Sequence, residues 1–227
     1  LDSVYSAFNS AGQRCSALRL LCVQQDIADR VVELLIGQMD QLVVGDPAHL
    51  ATDVGPAIDE SARQLLEAHV ARMEQEATIL HRSAMGDEAR GGTFFAPTLI
   101  EIDSVDALER EVFGPILHVL RFRGRDLAKT IDAVNATGYG LTMGLHSRID
   151  GRARELAERS GAGNLYINRN MIGAVVGVQP FGGRGLSGTG PKAGGPHYLP
   201  RFGTEMTVSN NIAAVGGNAS LLSLASD

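Results

Sequence analysis

Cys15 is the residue whose type and surroundings are best suited to covalent chemistry. It ends a polar, glycine-containing string, residues 9–15 (NSAGQRC), and helix-favouring apolar residues follow. This order predicts Cys15 near a helix N-terminus, where the helix dipole lowers the pKa of a thiol and favours the nucleophilic thiolate. Free cysteines are more commonly inert members of a core. The position alone therefore leaves both interpretations open.

A second chemical feature is a glycine- and proline-rich loop over residues 173–195, which is too long for a simple connection. Gly173 leaves the backbone bare, so successive N–H groups can converge on an anion. The alternative is a surface lid that binds nothing. Residues 183–188 (GRGLSG) fit a dinucleotide fingerprint literally, but the prolines and glycines that follow exclude the required helix.

The remaining candidates for chemistry give no site. The six histidines show no close pair at ligand spacing and no cysteine cluster, so we predict no metal. Lys192 lacks the order of a phosphate loop and is expected to be solvated or bound to carbonyls. Cys22 is assigned to the core. Two unpaired thiols suit a reducing compartment.

Composition excludes several classes of partner. The 227 residues are 44% hydrophobic and 20% charged, as in an ordinary globular domain. A net charge of −6 without basic runs argues against nucleic acid and anionic membranes. No apolar run approaches the roughly 18 residues of a membrane span, and residues 1–5 (LDSVY) have neither the basic nor the apolar region that a signal peptide requires. We therefore expect a soluble, cytoplasmic chain.

Helical and strand periods alternate along most of the chain. One helix is predicted from the apolar face of Ile27, Val31, Leu34, Leu35 and Leu42, and another from Pro56 with the face Ile58, Leu65, Leu66, Val70 and Met73. Further helices are predicted at 127–134 and 152–160, and strands at 77–80, 93–100, 116–120, 141–146, 165–168 and 205–209. Strands separated by helices predict an α/β fold, a largely parallel sheet with helices on both faces.

Two short strings, residues 9–15 and 111–115, resemble sequence motifs of the aldehyde dehydrogenase superfamily. Residues 9–15 are similar to its active-site signature, which implies that Cys15 is the nucleophile. Residues 111–115 (EVFGP) are similar to its Glu-x-Phe-Gly-Pro element. By that resemblance Glu111 holds the nicotinamide-ribose hydroxyls of NAD, and Phe113 lies near the nicotinamide. The alternative is that Glu111 caps a turn and Phe113 fills the core.

The glycine-rich loop resembles the aldehyde anchor loop of glutamate-semialdehyde dehydrogenases, also called pyrroline-5-carboxylate dehydrogenases. The resemblance implies that the backbone of Gly173 and Ala174 binds the α-carboxylate of the substrate. Ser16 would add a hydroxyl donor, and Phe181 an apolar wall. The implied reaction is NAD-dependent oxidation of L-glutamate γ-semialdehyde to L-glutamate, the second step of proline catabolism, through a thiohemiacetal and a thioester on Cys15.

The resemblance extends from near residue 1 to about residue 211 but covers only the later part of the family's fold. The Rossmann-type NAD domain, the general-base glutamate and the oxyanion-hole asparagine are expected upstream. Residues 213–222 resemble the end of bacterial bifunctional proline utilisation enzymes, in which an FAD-dependent proline dehydrogenase precedes the aldehyde dehydrogenase. We expect a C-terminal fragment of such a protein, inactive when isolated.

The expected organisation is a catalytic domain over 1–200, an oligomerisation flap over 201–212 and a tail over 213–227. The edge strand at 205–209 would pair with a second copy, giving a homodimer. Two other functions remain open: a catalytically silent assembly domain and a thiol esterase without cofactor. The joint presence of Cys15, Glu111 and the anchor loop favours the dehydrogenase.

Overall fold

A computed structural model of the chain describes residues 1–175 and 177–211. Its helices are α1 (Asp2–Phe8), α2 (Gln25–Met39), α3 (Glu60–Glu76), α4 (Leu127–Ala136) and α5 (Asp150–Arg159). Its strands are β1 (Leu20–Gln24), β2 (Thr78–Arg82), β3 (Thr98–Ile102), β4 (Ile116–Phe122), β5 (Tyr139–Gly140), β6 (Thr142–Leu145), β7 (Asn164–Ile167) and β8 (Arg184–Gly185). None of these helices has the length and apolar character that crossing a bilayer requires.

The main sheet has four strands in the order β1-β4-β3-β2. The central strand β4 runs parallel to both β1 and β3, and β2 closes the sheet antiparallel to β3 with an irregularity between Ile79 and His81. The first five residues of β4 are buried, as its unbroken apolar run predicts for a strand covered on both faces. The predicted, largely parallel sheet is confirmed.

Alternating side chains of the sheet build two cores, one on each face. On one face, Leu117 and Val119 of β4 pack with Phe8 of α1 and Met39 of α2. On the other face, strand residues such as Ile116 pack with an apolar stripe of α3, namely Leu66, Val70 and Met73. Helices therefore cover both faces of the sheet, as predicted.

Residues 20–24 correct the sequence prediction. They were expected to belong to a helix beginning near Cys15, but they form β1, whose residues pair one for one with 118–122 of β4. A short apolar run has no period that distinguishes a buried strand from a helix. The decision is made by pairing with a strand almost 100 residues away in the sequence.

The predicted helical faces need correction as well. In α2 the residues Ile27 and Leu34 are more than half exposed, and the buried stripe is Ala28, Val32, Leu35 and Met39. Helix α3 begins at Glu60 rather than near Pro56, because the side chain of Asp59 caps it by accepting from the Ala62 N–H at 2.7 Å. Ile58 and Leu65 of the predicted α3 face are exposed.

Two small sheets support the glycine-rich loop. Strands β6 and β7 pair in parallel, as expected for the strands at 141–146 and 165–168, and β5 pairs with β8 inside the loop. A second compact unit begins at Pro196, and its described part contains a 3-10 turn at Leu199–Phe202. Residues 205–209 form no strand within the single chain. The predicted tail, 213–227, lies outside the described residues.

Candidate active site

The backbone before Cys15 is left-handed over three consecutive residues. Ser10, Ala11 and Gly12 have φ of 55°, 52° and 64°. For residues other than glycine this conformation costs about 1–2 kcal/mol each. Gly12 lies so close to Gly114 that a Cβ atom would come within 2.2 Å of the Gly114 carbonyl oxygen. The chain therefore reaches Cys15 through a strained turn pressed against the segment that precedes β4.

Cys15 stands at a turn, not at a helix N-terminus. The Ala17 N–H donates to the Arg14 carbonyl at 3.0 Å, which places Cys15 and Ser16 at the two corners of a four-residue turn. The prediction of a helix dipole at the thiol is wrong, because β1 follows this turn. Cys15 is exposed, whereas Ser16 is only 6% exposed. Within the described chain, the Cys15 N–H has no hydrogen-bond acceptor.

The side chain of Gln13 fixes the other side of this turn. Its Nε2 donates to the Pro56 carbonyl at 3.1 Å, and its Oε1 accepts from the Ile58 N–H at 2.8 Å. The amide thus satisfies one carbonyl and one N–H of the segment that leads into α3. It anchors the Cys15 turn to a second part of the fold.

Arg19 connects the Cys15 turn with residues 111–114. Its Nη1 donates to the carbonyls of Gly12 at 2.5 Å and Gly114 at 3.2 Å, and its Nη2 donates to the Arg14 carbonyl at 3.1 Å. Its side chain is 16% exposed. Burial lowers the pKa of Arg19 by desolvation, and the charge of Glu111 opposes that shift. The sequence analysis did not identify this residue.

Glu111 and Phe113 both lie against this guanidinium. Glu111 Oε1 is 3.6 Å from Arg19 Nε, an ion-pair distance too long for a hydrogen bond, and Arg19 Cζ lies 4.6 Å from the centre of the Phe113 ring. Phe113 is 44% exposed, while its neighbour Val112 is buried. Within the described residues, Phe113 therefore does not belong to the core. The exposed carboxylate and ring present a polar and an apolar contact side by side.

The base of the glycine-rich loop is closed by hydrogen bonds. Phe181 and Ala193 exchange two backbone hydrogen bonds, at 3.0 and 2.9 Å. The Lys192 ammonium donates to the Gly163 carbonyl and, at 3.2 Å, to Asn164 Oδ1. Lys192 is thus bound to a carbonyl, one of the two states predicted for it. No helix follows residues 183–188 before the 3-10 turn at 199, which agrees with rejecting the dinucleotide fingerprint.

The start of the loop leaves its backbone open. Gly173 has φ of 74° and free space around its Cα, and Ala174 beside it is half-buried. Neither N–H donates to another described residue. The Met171 N–H donates to Ser6 Oγ at 3.2 Å, which ties the start of the loop to α1. Helix α1 leads directly into the Cys15 turn, so the two predicted site segments share one support.

Two buried histidines form a pair that sequence spacing did not reveal. His69 Nε2 lies 2.9 Å from His118 Nε2, and His118 Nδ1 lies 3.0 Å from the Arg19 carbonyl. A carbonyl can only accept, so His118 donates from Nδ1 and accepts at Nε2 from His69. Burial lowers the pKa of both to about 4. The described residues contain no group of three potential metal ligands.

Cys22 differs from Cys15 in its burial. It packs in the core on the α3 side of the sheet, and burial raises the pKa of its thiol to about 12. Its assignment to the core is confirmed. Of the two thiols, only Cys15 is exposed.

Comparison with known proteins identifies the family. Residues 2–208 match the model of the Aldehyde dehydrogenase family, so the chain belongs to it. The bifunctional protein PutA of Klebsiella aerogenes is 52% identical over 207 residues, 89% of this chain and 16% of that protein. A solved Bradyrhizobium japonicum proline utilization A (PutA) mutant superimposes with a TM-score of 0.88 at 57% identity, over 95% of this chain and 22% of the other.

A less similar relative was solved with a bound cofactor. The 1-pyrroline-5-carboxylate dehydrogenase from Thermus, solved with bound NAD, is 34% identical with a TM-score of 0.79 over 88% of this chain and 38% of the other. The chain thus spans about a sixth of the Klebsiella relative and less than half of the Thermus enzyme. The resemblance inferred from residues 9–15 and 111–115 is confirmed at the level of the family.

Proposed function

We propose that this chain is the catalytic part of an NAD-dependent L-glutamate γ-semialdehyde dehydrogenase, which acts in proline catabolism. The observation that carries the proposal is the cluster around Arg19, which joins the exposed Cys15 turn to Glu111 and Phe113. The relatives named PutA and 1-pyrroline-5-carboxylate dehydrogenase support the substrate class. The complete enzyme includes segments beyond this chain.

Cys15 supplies the nucleophile in this proposal. Its thiolate adds to the aldehyde carbon, and the negative charge that develops on the aldehyde oxygen is stabilised by the Cys15 N–H, which has no acceptor within the described chain. Loss of hydride leaves a thioester on Cys15. Water hydrolyses the thioester to glutamate and regenerates the thiol, with a general base expected outside this chain.

Glu111 and Phe113 fit the nicotinamide half of NAD. The Glu111 carboxylate can accept hydrogen bonds from ribose hydroxyls, and the exposed face of Phe113 suits a planar ring. NAD, when bound, supplies the acceptor for the hydride. In this proposal Arg19, whose Nε lies 3.6 Å from Glu111 Oε1, holds the carboxylate in place. A Rossmann-type NAD domain in another part of the protein completes the cofactor site.

The carboxylate of the substrate is assigned to the backbone of Gly173 and Ala174, whose N–H groups donate to no other described residue. Phe181 adds an apolar wall for the aliphatic chain. Ser16 is the weakest member of the predicted set, because its side chain is buried beside the exposed Cys15. In this proposal the substrate reaches the Ser16 hydroxyl from the side of the turn on which Cys15 is exposed.

Assembly and location complete the proposal. The catalytic domain over 1–200 is followed by a flap over 201–212, in which residues 205–209 gain strand pairing from a second copy to give a homodimer. A bacterial cytoplasmic setting agrees with two unpaired thiols. We further propose an FAD-dependent proline dehydrogenase domain in the same protein, which the likeness to bifunctional PutA proteins supports.

The test uses the full-length protein that contains this chain. NADH formation is measured with L-glutamate γ-semialdehyde and with propanal, for the wild type, Cys15→Ala and the matched control Cys22→Ala. We expect activity with the semialdehyde, poor activity with propanal, and loss of at least about 10³-fold only in Cys15→Ala. Activity that survives Cys15→Ala would refute the assignment. NAD-independent ester hydrolysis without aldehyde oxidation would favour the thiol esterase. A protein with neither activity would favour the catalytically silent assembly domain.

A further inference from the structure

One peptide unit lies between Arg19 and the proposed oxyanion donor. The carbonyl that accepts from Arg19 Nη2 is that of Arg14, and the N–H of the same peptide unit belongs to Cys15. A peptide unit is planar and trans, so its C=O and N–H point in opposite directions. Fixing the carbonyl therefore fixes the direction of the Cys15 N–H. The Ala17 N–H donates to the same carbonyl at 3.0 Å, which makes this orientation doubly determined.

A cation at the carbonyl also changes the strength of the N–H donor. Hydrogen bonds to a charged donor are stronger than neutral ones, and a peptide polarised at its oxygen donates more strongly from its nitrogen. The guanidinium is largely buried, so solvent screens this polarisation less than at the surface. Both effects act on the Cys15 N–H, which has no acceptor among the described residues.

The same guanidinium also holds the Cys15 turn against residues 111–114, which carry the proposed NAD-binding side chains. Its Nη1 bridges the carbonyls of Gly12 and Gly114, one on each side of the contact between the two segments. Its Nε faces Glu111 at 3.6 Å, and its plane lies near the Phe113 ring. A lysine ammonium cannot reproduce this set of contacts, because it lacks the planar fork that reaches several acceptors at once.

We propose that Arg19 is a positioning residue that aims and polarises the Cys15 N–H towards the developing oxyanion and holds it in register with Glu111. The inference rests on the proposed function, because that function assigns the Cys15 N–H to the oxyanion. It predicts a defect confined to the transition state: the N–H acts on charge that the bound aldehyde does not yet carry.

The experiment compares Arg19→Lys with the wild type in the full-length protein. The control is Arg30→Gln, which removes an exposed arginine whose ion pair among the described residues is with Glu33 on α2. Steady-state kinetics give kcat and the KM for the semialdehyde, and iodoacetamide alkylation of Cys15 monitors the thiol without an oxyanion. In Arg19→Lys we expect kcat to fall about 10- to 100-fold, somewhat less than for loss of a whole oxyanion donor. The KM and the alkylation rate should stay within about threefold.

A second variant, Arg19→Ala, keeps the proposal testable if Arg19→Lys does not fold. Arg19→Ala leaves space for a free guanidinium ion, and guanidinium chloride at millimolar concentration should restore part of its kcat, whereas ammonium chloride at equal ionic strength should not. The proposal is overturned if Arg19→Lys retains kcat within twofold. It is equally overturned if both variants lose alkylation and kcat together and guanidinium rescues neither. A wild type without aldehyde oxidation would instead refute the proposed function.

Discussion

The buried pair of His69 and His118 should make the sheet sensitive to mild acid. Both have a folded-state pKa of about 4, against an ordinary value of about 6.5. Between these values the unfolded chain binds protons that the folded chain excludes, so the free energy of unfolding rises with pH. The stability is complete above about pH 6.5 and is lost as the pH falls towards 4. At pH 5, about 1.5 pH units below the ordinary value, each excluded proton corresponds to about 2 kcal/mol, so the two histidines together correspond to a loss of about 4 kcal/mol.

Hydrogen exchange measured by mass spectrometry tests this value in the full-length protein. The peptides that contain β1 and β4 are compared at pH 7.5 and 5.0 after correction for intrinsic exchange. A loss of about 4 kcal/mol corresponds to protection roughly 1,000-fold lower at pH 5.0. His118→Gln should lower protection at pH 7.5 and weaken its dependence on pH, while the exposed His49→Gln should behave as the wild type. An unchanged pH dependence in His118→Gln would refute the reasoning.

Three further predictions follow from the site. Iodoacetamide at pH 8 should modify Cys15 at least about 100-fold faster than Cys22, because burial raises the pKa of the Cys22 thiol to about 12; peptide mass spectrometry reads both rates. Gly12→Ala should abolish aldehyde oxidation and lower the melting temperature, because its Cβ would overlap the Gly114 carbonyl oxygen at 2.2 Å; equal melting temperatures would contradict this. Lys192→Met should raise the KM for the semialdehyde severalfold with little change for propanal, because the loop loses its bound cation.

The sheet and its covering helices could be predicted where the sequence carries a long or distinctive pattern. Strand β4 is an unbroken apolar run, and α4 and α5 begin and end within a few residues of their expected positions. Strand β1 could not be predicted, because its run of four apolar residues, 20–23, fits either a strand or a helix. Its identity depends on the pairing of residues 20–24 with 118–122, which no local pattern contains.

The residues of the site also fall into a group that the sequence identified and a group that it missed. Cys15, Glu111 and Phe113 stand in short strings whose order identifies a family, so the sequence supplied them. Arg19 and the histidine pair were missed, because their partners come from separate elements that only the fold brings together. One signal was present: Arg19 is a lone charge between Leu18 and Leu20, and a charge in an apolar run must find buried partners.

The strained turn before Cys15 explains why these missed residues matter. Ser10 and Ala11 together cost roughly 2–4 kcal/mol in the left-handed conformation, and isolated chains do not adopt it. Such strain persists only where surrounding contacts over-determine the backbone. Gln13 and Arg19 supply those contacts, with five hydrogen bonds to main-chain groups of three segments: the Cys15 turn itself, the segment before α3 and the segment before β4. A relaxed turn would move the Arg14 carbonyl and with it the Cys15 N–H, so stability and the direction of the proposed oxyanion donor depend on the same side chains.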